Sequence, residues 1–315
     1  MHQHKPHASG HDTYHDHHEH AHKISTDSDG RLKRAFKFGI WLNAGYVVLE
    51  ALFGFMYDSM GLLSDAGHNL SDIFSLIVAL VAFKVAKNKP TARFTYGFRR
   101  ATVNASVVNA IILYVAVILI LIESISKLLH PSEVDGDIVA WVAGVGVLIN
   151  GITAWLFMKD SHSDLNVRGA FLHMAADALV SVGVVISGIV IMSTGWTLID
   201  PIVGIIIALL IAYGSYGMLR ESICLAFDGV PHGVDSTKVM NAISGVDGVV
   251  SVHHLHIWAL STTEIAMTVH VIVNDAASVD RIICDVRHLV AGMGIAHATI
   301  EAETSEIDCN SCSCE

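Results

Sequence analysis

The chain has 315 residues, 52% of them hydrophobic and only 16% charged, with a formal net charge of −11. Such a composition is too apolar for an ordinary water-soluble domain and offers no basic excess for a nucleic-acid partner. A lipid bilayer is the solvent it fits.

In chain order, a polar tail at 1–34 comes first; nine of its first 22 residues are histidine, interleaved with Asp12, Asp16 and Glu19. A low-complexity run of this kind cannot bury a core, so the tail is expected to be disordered. Its imidazoles suit weak zinc capture near a membrane mouth, the bland alternative being a tag or an inert solvated tail. His18-Glu19-His20-Ala21-His22 matches the zinc-protease pattern H-E-x-x-H, but that pattern has chemical meaning only on an ordered helix beside a cleft. No secretory signal is expected, because the first apolar block is long and follows a long polar tail.

Six apolar blocks follow, at 35–57, 60–86, 101–129, 137–158, 165–193 and 199–224. Each is near or above the ~20 residues a helix needs to cross about 30 Å of hydrocarbon. Positive charge sits on one side of them. Lys23, Arg31, Lys33, Arg34 and Lys37 precede or open the first block, and Lys84, Lys87, Lys89, Arg93, Arg99 and Arg100 fall at the second connection. Lys159 and Arg168 flank the fourth connection and Arg220 closes the sixth block, whereas the opposite side offers only Lys127. Cytoplasmic loops retain positive charge, so both termini are expected in the cytoplasm, with the protein in an inner or plasma membrane.

The character changes at Phe227-Asp228-Gly229-Val230-Pro231. Residues 235–244 and 278–291 read as helices, and 249–259, 263–274 and 297–303, rich in Val, Ile and Thr, as strands. This α-β-β-α-β order fits a small two-layer α+β domain over 227–305, with a Cys-containing tail at 306–315. The expected architecture is thus an α-helical membrane domain over 35–226 carrying a cytosolic α+β domain.

The second block holds His68-Asn69-Leu70-Ser71-Asp72 and the fifth His173-Met174-Ala175-Ala176-Asp177. Four-residue spacing puts each imidazole and its carboxylate on one helix face, one turn apart. Two such helices supply two nitrogens and two oxygens, a match to tetrahedral zinc. On a solvated helix such pairs are commonplace packing or surface features. Inside a membrane an ionisable group costs ~2.5–3.5 kcal/mol or more, so four retained ones point to function. Zinc binds the deprotonated forms, so metal and protons compete for the site. Asp65, three residues before His68, either faces the same cavity or hydrates the helix entrance.

These motifs resemble the cation diffusion facilitator family, in its zinc-transporting branch. The resemblance rests on DSMGLLSDAGHNLSD, HMAAD, IDP at 199–201, VHHLHIW and the order of the domains, over most of the chain. It implies a homodimeric zinc-for-proton antiporter with a transport site at His68, Asp72, His173 and Asp177, no prosthetic group and no enzymatic activity. Family members with Asp in place of the first His use metals more broadly, so His68 favours zinc, with cadmium and cobalt as secondary cargo. It also implies a cytosolic cluster of His253, His270 and Glu303, with His297, Cys309 and Cys312 as candidates for a second.

Strand alternation puts His254 and His256 on one face and His253 on the other, so the three cannot serve one site from a regular strand. Cys309-x-x-Cys312-x-Cys314 in a reducing cytosol suits metal better than a disulfide. Cys224 and Cys284 read as buried thiols. The loop Lys87 to Arg100 has no His, Cys, Asp or Glu, so no metal is expected there, and its basic run should meet lipid headgroups or an acidic partner surface. Two other classes remain: a membrane metalloenzyme on the same ligands, and a membrane-anchored metal sensor.

Overall fold

The structure is a computed structural model that describes residues 25–56, 60–129, 136–196 and 198–304. The six apolar blocks form helices α1 (Ser25–Met56), α2 (Met60–Ala86), α3 (Ala101–Leu129), α4 (Gly136–Met158), α5 (Leu165–Thr194) and α6 (Ile199–Ala226). Among the described residues, Leu32–Phe53, Ala101–Leu129, Leu165–Thr194 and Pro201–Ala226 are long and apolar enough to cross a membrane, and Gly144–Met158 is a shorter apolar stretch. α1 begins ten residues before the expected 35, so 25–34 is helical where a disordered tail was expected. Ser, Thr, Asp and Gly30 in this stretch (STDSDGRLKR) are weak helix formers and Leu32 is its one large apolar residue, so neither propensity nor hydrophobic pattern announced the extra turns.

The helices pack through two apolar seams. Phe36, Leu76, Ala79, Phe157, Val167 and Ala170 join α1, α2, α4 and α5. Ala110, Leu113, Val117, Ala176, Ile207 and Ile211 join α3, α5 and α6. Small residues permit the close approach: a Cβ on Gly146 of α4 would stand 2.6 Å from the Tyr46 hydroxyl of α1. The outward faces are as apolar as the seams. Trp41, Phe55 and Tyr213 are each at least three-quarters exposed, which lipid tolerates and water would not.

Beyond α6, helix α7 (Ser236–Ser244), strands β1 (Val249–Ala259) and β2 (Ile265–Val273), helix α8 (Val279–Gly292) and strand β3 (His297–Thr304) build the α+β domain. β2 is central, antiparallel to β1 and parallel to β3. Its inward Met267, Val269, Val271 and Val273 meet Val239 and Ile243 of α7 and Ile282, Val286 and Val290 of α8, all essentially buried. Cys284, on the outer face of α8, is exposed rather than buried, and Cys224 is partly so; an amphipathic helix of this length has room for a thiol on its wet side.

The turn between β1 and β2 grips the bundle. Thr262 donates its backbone N–H to Thr102 Oγ1 at 3.1 Å and its hydroxyl to Asp164 Oδ2. Asp164 caps α5, its Oδ1 accepting from the N–H groups of Asn166 at 2.7 Å and Val167 at 3.2 Å. The basic loop finds its acidic surface within the chain: Arg99 pairs with Glu264 at 2.6 Å and Arg100 with Asp228 at 2.5 Å.

Candidate metal centre

α2 and α5 bring Asp72, His173 and Asp177 together inside the bundle, 1%, 2% and 9% exposed. His173 Nε2 contacts Asp72 Oδ1 and lies 3.9 Å from Asp177 Oδ2. One ligand atom from each residue falls within 4.8 Å of the others, so a single cation can reach all three. Asp72 Oδ2 is buried without a hydrogen bond among the described residues, an acceptor that a cation would satisfy. His68 stands one turn before Asp72 on α2; the structure describes its place in that helix and not its side chain. Asp65 is likewise described only as part of α2.

One acid escaped the sequence reading. Glu50 of α1 is fully buried and accepts from Asn69 Nδ2 at 2.6 Å, which ties α1 to α2 beside His68. The lone acid within the first apolar block was the available signal.

The second cluster lies on the sheet. Pairing between β1 and β2 shifts register between His253 and His256, and His254 takes a left-handed φ of 49°. Strict alternation is thereby broken, and His253 and His254, expected on opposite faces, converge on His270. Ring centroids are 4.9 Å apart for His253 and His254, 5.3 Å for His253 and His270, and 5.1 Å for His254 and His270. His270 Nδ1 meets Glu303 at 2.7 Å and its Nε2 lies 3.4 Å from Glu301, while His253 Nε2 lies 3.6 Å from Glu303. His254 and Glu301 thus join the expected trio of His253, His270 and Glu303. Glu301 pairs in register with His270 across the parallel ladder, a relation that needs the strand order before it can be read.

His256 is set apart, lining a cleft with Arg100, Asp228 and Trp258. His297 packs its ring edge-on to Tyr96 of the basic loop, 5.7 Å between centroids, rather than on the histidine cluster. Cys309 and Cys312, and the histidines of residues 1–24, lie outside the described residues.

Asp164 joins the start of α5 to the turn between β1 and β2. Burial pushes its carboxyl above the usual range, opposed by hydrogen bonds from Thr262 and from the backbone of Asn166 and Val167.

Comparison with known proteins bears on both regions. Residues 37–224 match the family model of the cation efflux transmembrane domain, and 231–303 match that of the cation efflux protein cytoplasmic domain. The chain is 35% identical to the zinc transporter ZitB of Escherichia coli over 91% of its own length and 92% of that protein. It is 34% identical to the cadmium, cobalt and zinc/H(+)-K(+) antiporter of Bacillus subtilis, covering 88% and 91% of the two chains. It is also 33% identical to the metal cation efflux system protein CzcD of Cupriavidus metallidurans, covering 89% of each.

Proposed function

The chain belongs to the cation efflux (cation diffusion facilitator) family, and from that premise we propose that it exports zinc from the cytosol in exchange for protons. Asp72, His173 and Asp177 carry the cargo, with His68 as fourth ligand. The observation that supports this most is the burial of that cluster between α2 and α5, the latter long and apolar enough to cross a membrane. Cadmium and cobalt are secondary cargo, in line with the names of the relatives.

Zinc requires neutral imidazole and ionised carboxylate, so binding expels protons and protonation expels zinc. Two states open to opposite sides convert that competition into antiport. A set of two nitrogens and two oxygens fills the tetrahedral positions of zinc, which leaves no place for the water that a hydrolytic zinc site holds open; transport, not catalysis, is the role that fits. Both termini are cytoplasmic, in an inner or plasma membrane, on the distribution of Lys and Arg.

The three imidazoles and two carboxylates on the sheet suit zinc as a regulatory ligand. They sit in a domain that pairs with its copy in a homodimer, and the His-rich tail with Cys309 and Cys312 adds donors on the same side of the membrane. An anchored sensor without transport is the second reading, favoured by this second cluster alone. Zinc flux into sealed vesicles, with and without a pH gradient, separates the two: a carrier moves zinc and responds to the gradient, and a sensor does neither.

A further inference from the structure

One carboxamide underlies the ligand cluster on the side facing the C-terminal domain. Asn109 of α3 is 2% exposed, and its Oδ1 accepts from the Ser75 hydroxyl at 3.1 Å. Across the same gap, a Cβ on Gly169 of α5 would stand 3.6 Å from Asn109 Cβ and 4.0 Å from its Nδ2.

Both neighbours report where this amide sits. Ser75 follows Asp72 by three residues on α2, and Gly169 precedes His173 by four on α5. Each is therefore one turn from a ligand on the same helix face, roughly 5 Å along the axis. The directions agree. α2 runs toward the loop whose Arg99 pairs with Glu264, and α5 starts at Asp164, which Thr262 holds. Asn109 thus lies between α2 and α5, one turn below the ligands, on the path from the C-terminal domain.

Its hydrogen bonding is incomplete in a telling way. Asn109 Nδ2 is buried and has no partner among the described residues, and the same is true of Asp72 Oδ2 one turn above. The first is a donor and the second an acceptor. Interhelical packing accounts for the bond from Ser75, but it gives no reason for an amide donor buried without a partner about one helical turn from a carboxylate oxygen in the same condition. A water that accepts from Nδ2 and donates to Oδ2 satisfies both, since two polar partners suffice for a buried water.

We propose that Asn109 is a positioning residue of the transport site, which holds water against Asp72 and so orients that carboxylate toward cargo arriving from the C-terminal-domain side. This deepens the transport reading and rests on it. Asn109 does not bind the metal; it acts through Asp72. The amide lowers the barrier for the cation to trade its hydration water for the carboxylate, so its loss slows turnover more than it weakens binding at equilibrium.

The test uses the full chain in proteoliposomes, with zinc as the probe, and compares wild type with Asn109→Leu, Asn109→Ser and Asn109→Ala. The wild type is measured first: absence of zinc flux there defeats the transport reading itself. With flux present, Asn109→Leu is expected to lower the maximal rate by about tenfold while KM stays within about twofold. Asn109→Ser, whose hydroxyl can still hold a water, should recover at least half the rate, and Asn109→Ala should not. A wild-type maximal rate in Asn109→Leu overturns the inference. So does a loss of rate that parallels loss of thermal stability and zinc binding in all three variants, which is what a packing residue gives. Should the Leu variant fail to insert, the Ser and Ala pair decides: Ser faster than Ala supports the role, and equal rates overturn it.

Discussion

Thr262, in the turn between β1 and β2, donates its hydroxyl to the carboxylate of Asp164, whose other oxygen caps the helix that carries His173 and Asp177. A displacement of the C-terminal domain must therefore either move the start of α5 or break this bond. Thr102 completes the joint, accepting from Thr262 N–H through its hydroxyl and from Asn166 Nδ2 through its carbonyl.

Thr262→Val removes the hydroxyl and keeps the shape. Because the lost bond goes to a charged group, the expected cost is ~1.5–3 kcal/mol, reduced by the partial exposure of Thr262. Thermal unfolding in detergent should shift downward, and transport should lose part of its dependence on zinc at the sheet cluster. Unchanged unfolding and unchanged zinc dependence would show that the joint is incidental.

Asp164 gives this joint a pH dependence whose sign is fixed. Its folded carboxyl is raised by burial, so the stability it contributes is present below the unfolded value and is lost as pH rises through the folded one. Asn at this position keeps a cap acceptor and has no charge to desolvate. Relative to the wild type, Asp164→Asn should gain stability as pH is raised from ~4 to ~7. A constant difference between the two melting curves across that range would contradict the assignment.

Much of this was legible in the sequence because the governing patterns are local. Membrane helices show as apolar runs, and the spacing of His173 and Asp177, which the structure brings to Asp72, shows as one turn of a helix. The strands showed as Val- and Ile-rich alternation. What escaped depends on registers and on contacts distant in sequence. The bulge that turns His253 and His254 toward His270 breaks the period on which the alternation argument rested. Glu301 needs the parallel pairing of β2 with β3. Thr262 and Asp164 are 98 residues apart, and no periodicity links them.

Replacing His253, His270 and Glu303 together by Ala should leave the membrane cluster intact and weaken transport or its dependence on zinc. A ligand shifts a conformational equilibrium only through its different affinities for the two arrangements. Distances between spin labels on the two copies of the domain should shorten on adding zinc to the wild type and change little in the triple variant. Equal closure in both proteins, or none in either, would reduce the domain to a dimerisation element.

His68→Asp exchanges a nitrogen for a harder oxygen. The variant is expected to keep transport but to lose preference for zinc over manganese. An unchanged preference would remove His68 from the ligand set.

The central claim, that zinc crosses the membrane at the cluster between α2 and α5, is tested most directly by zinc flux in sealed proteoliposomes with and without an imposed pH gradient, comparing wild type with Asp177→Ala. The account predicts gradient-dependent flux in the wild type and a loss on the order of 100-fold or more in a variant that inserts and unfolds like the wild type. Wild-type flux through a well-folded Asp177→Ala protein would contradict it.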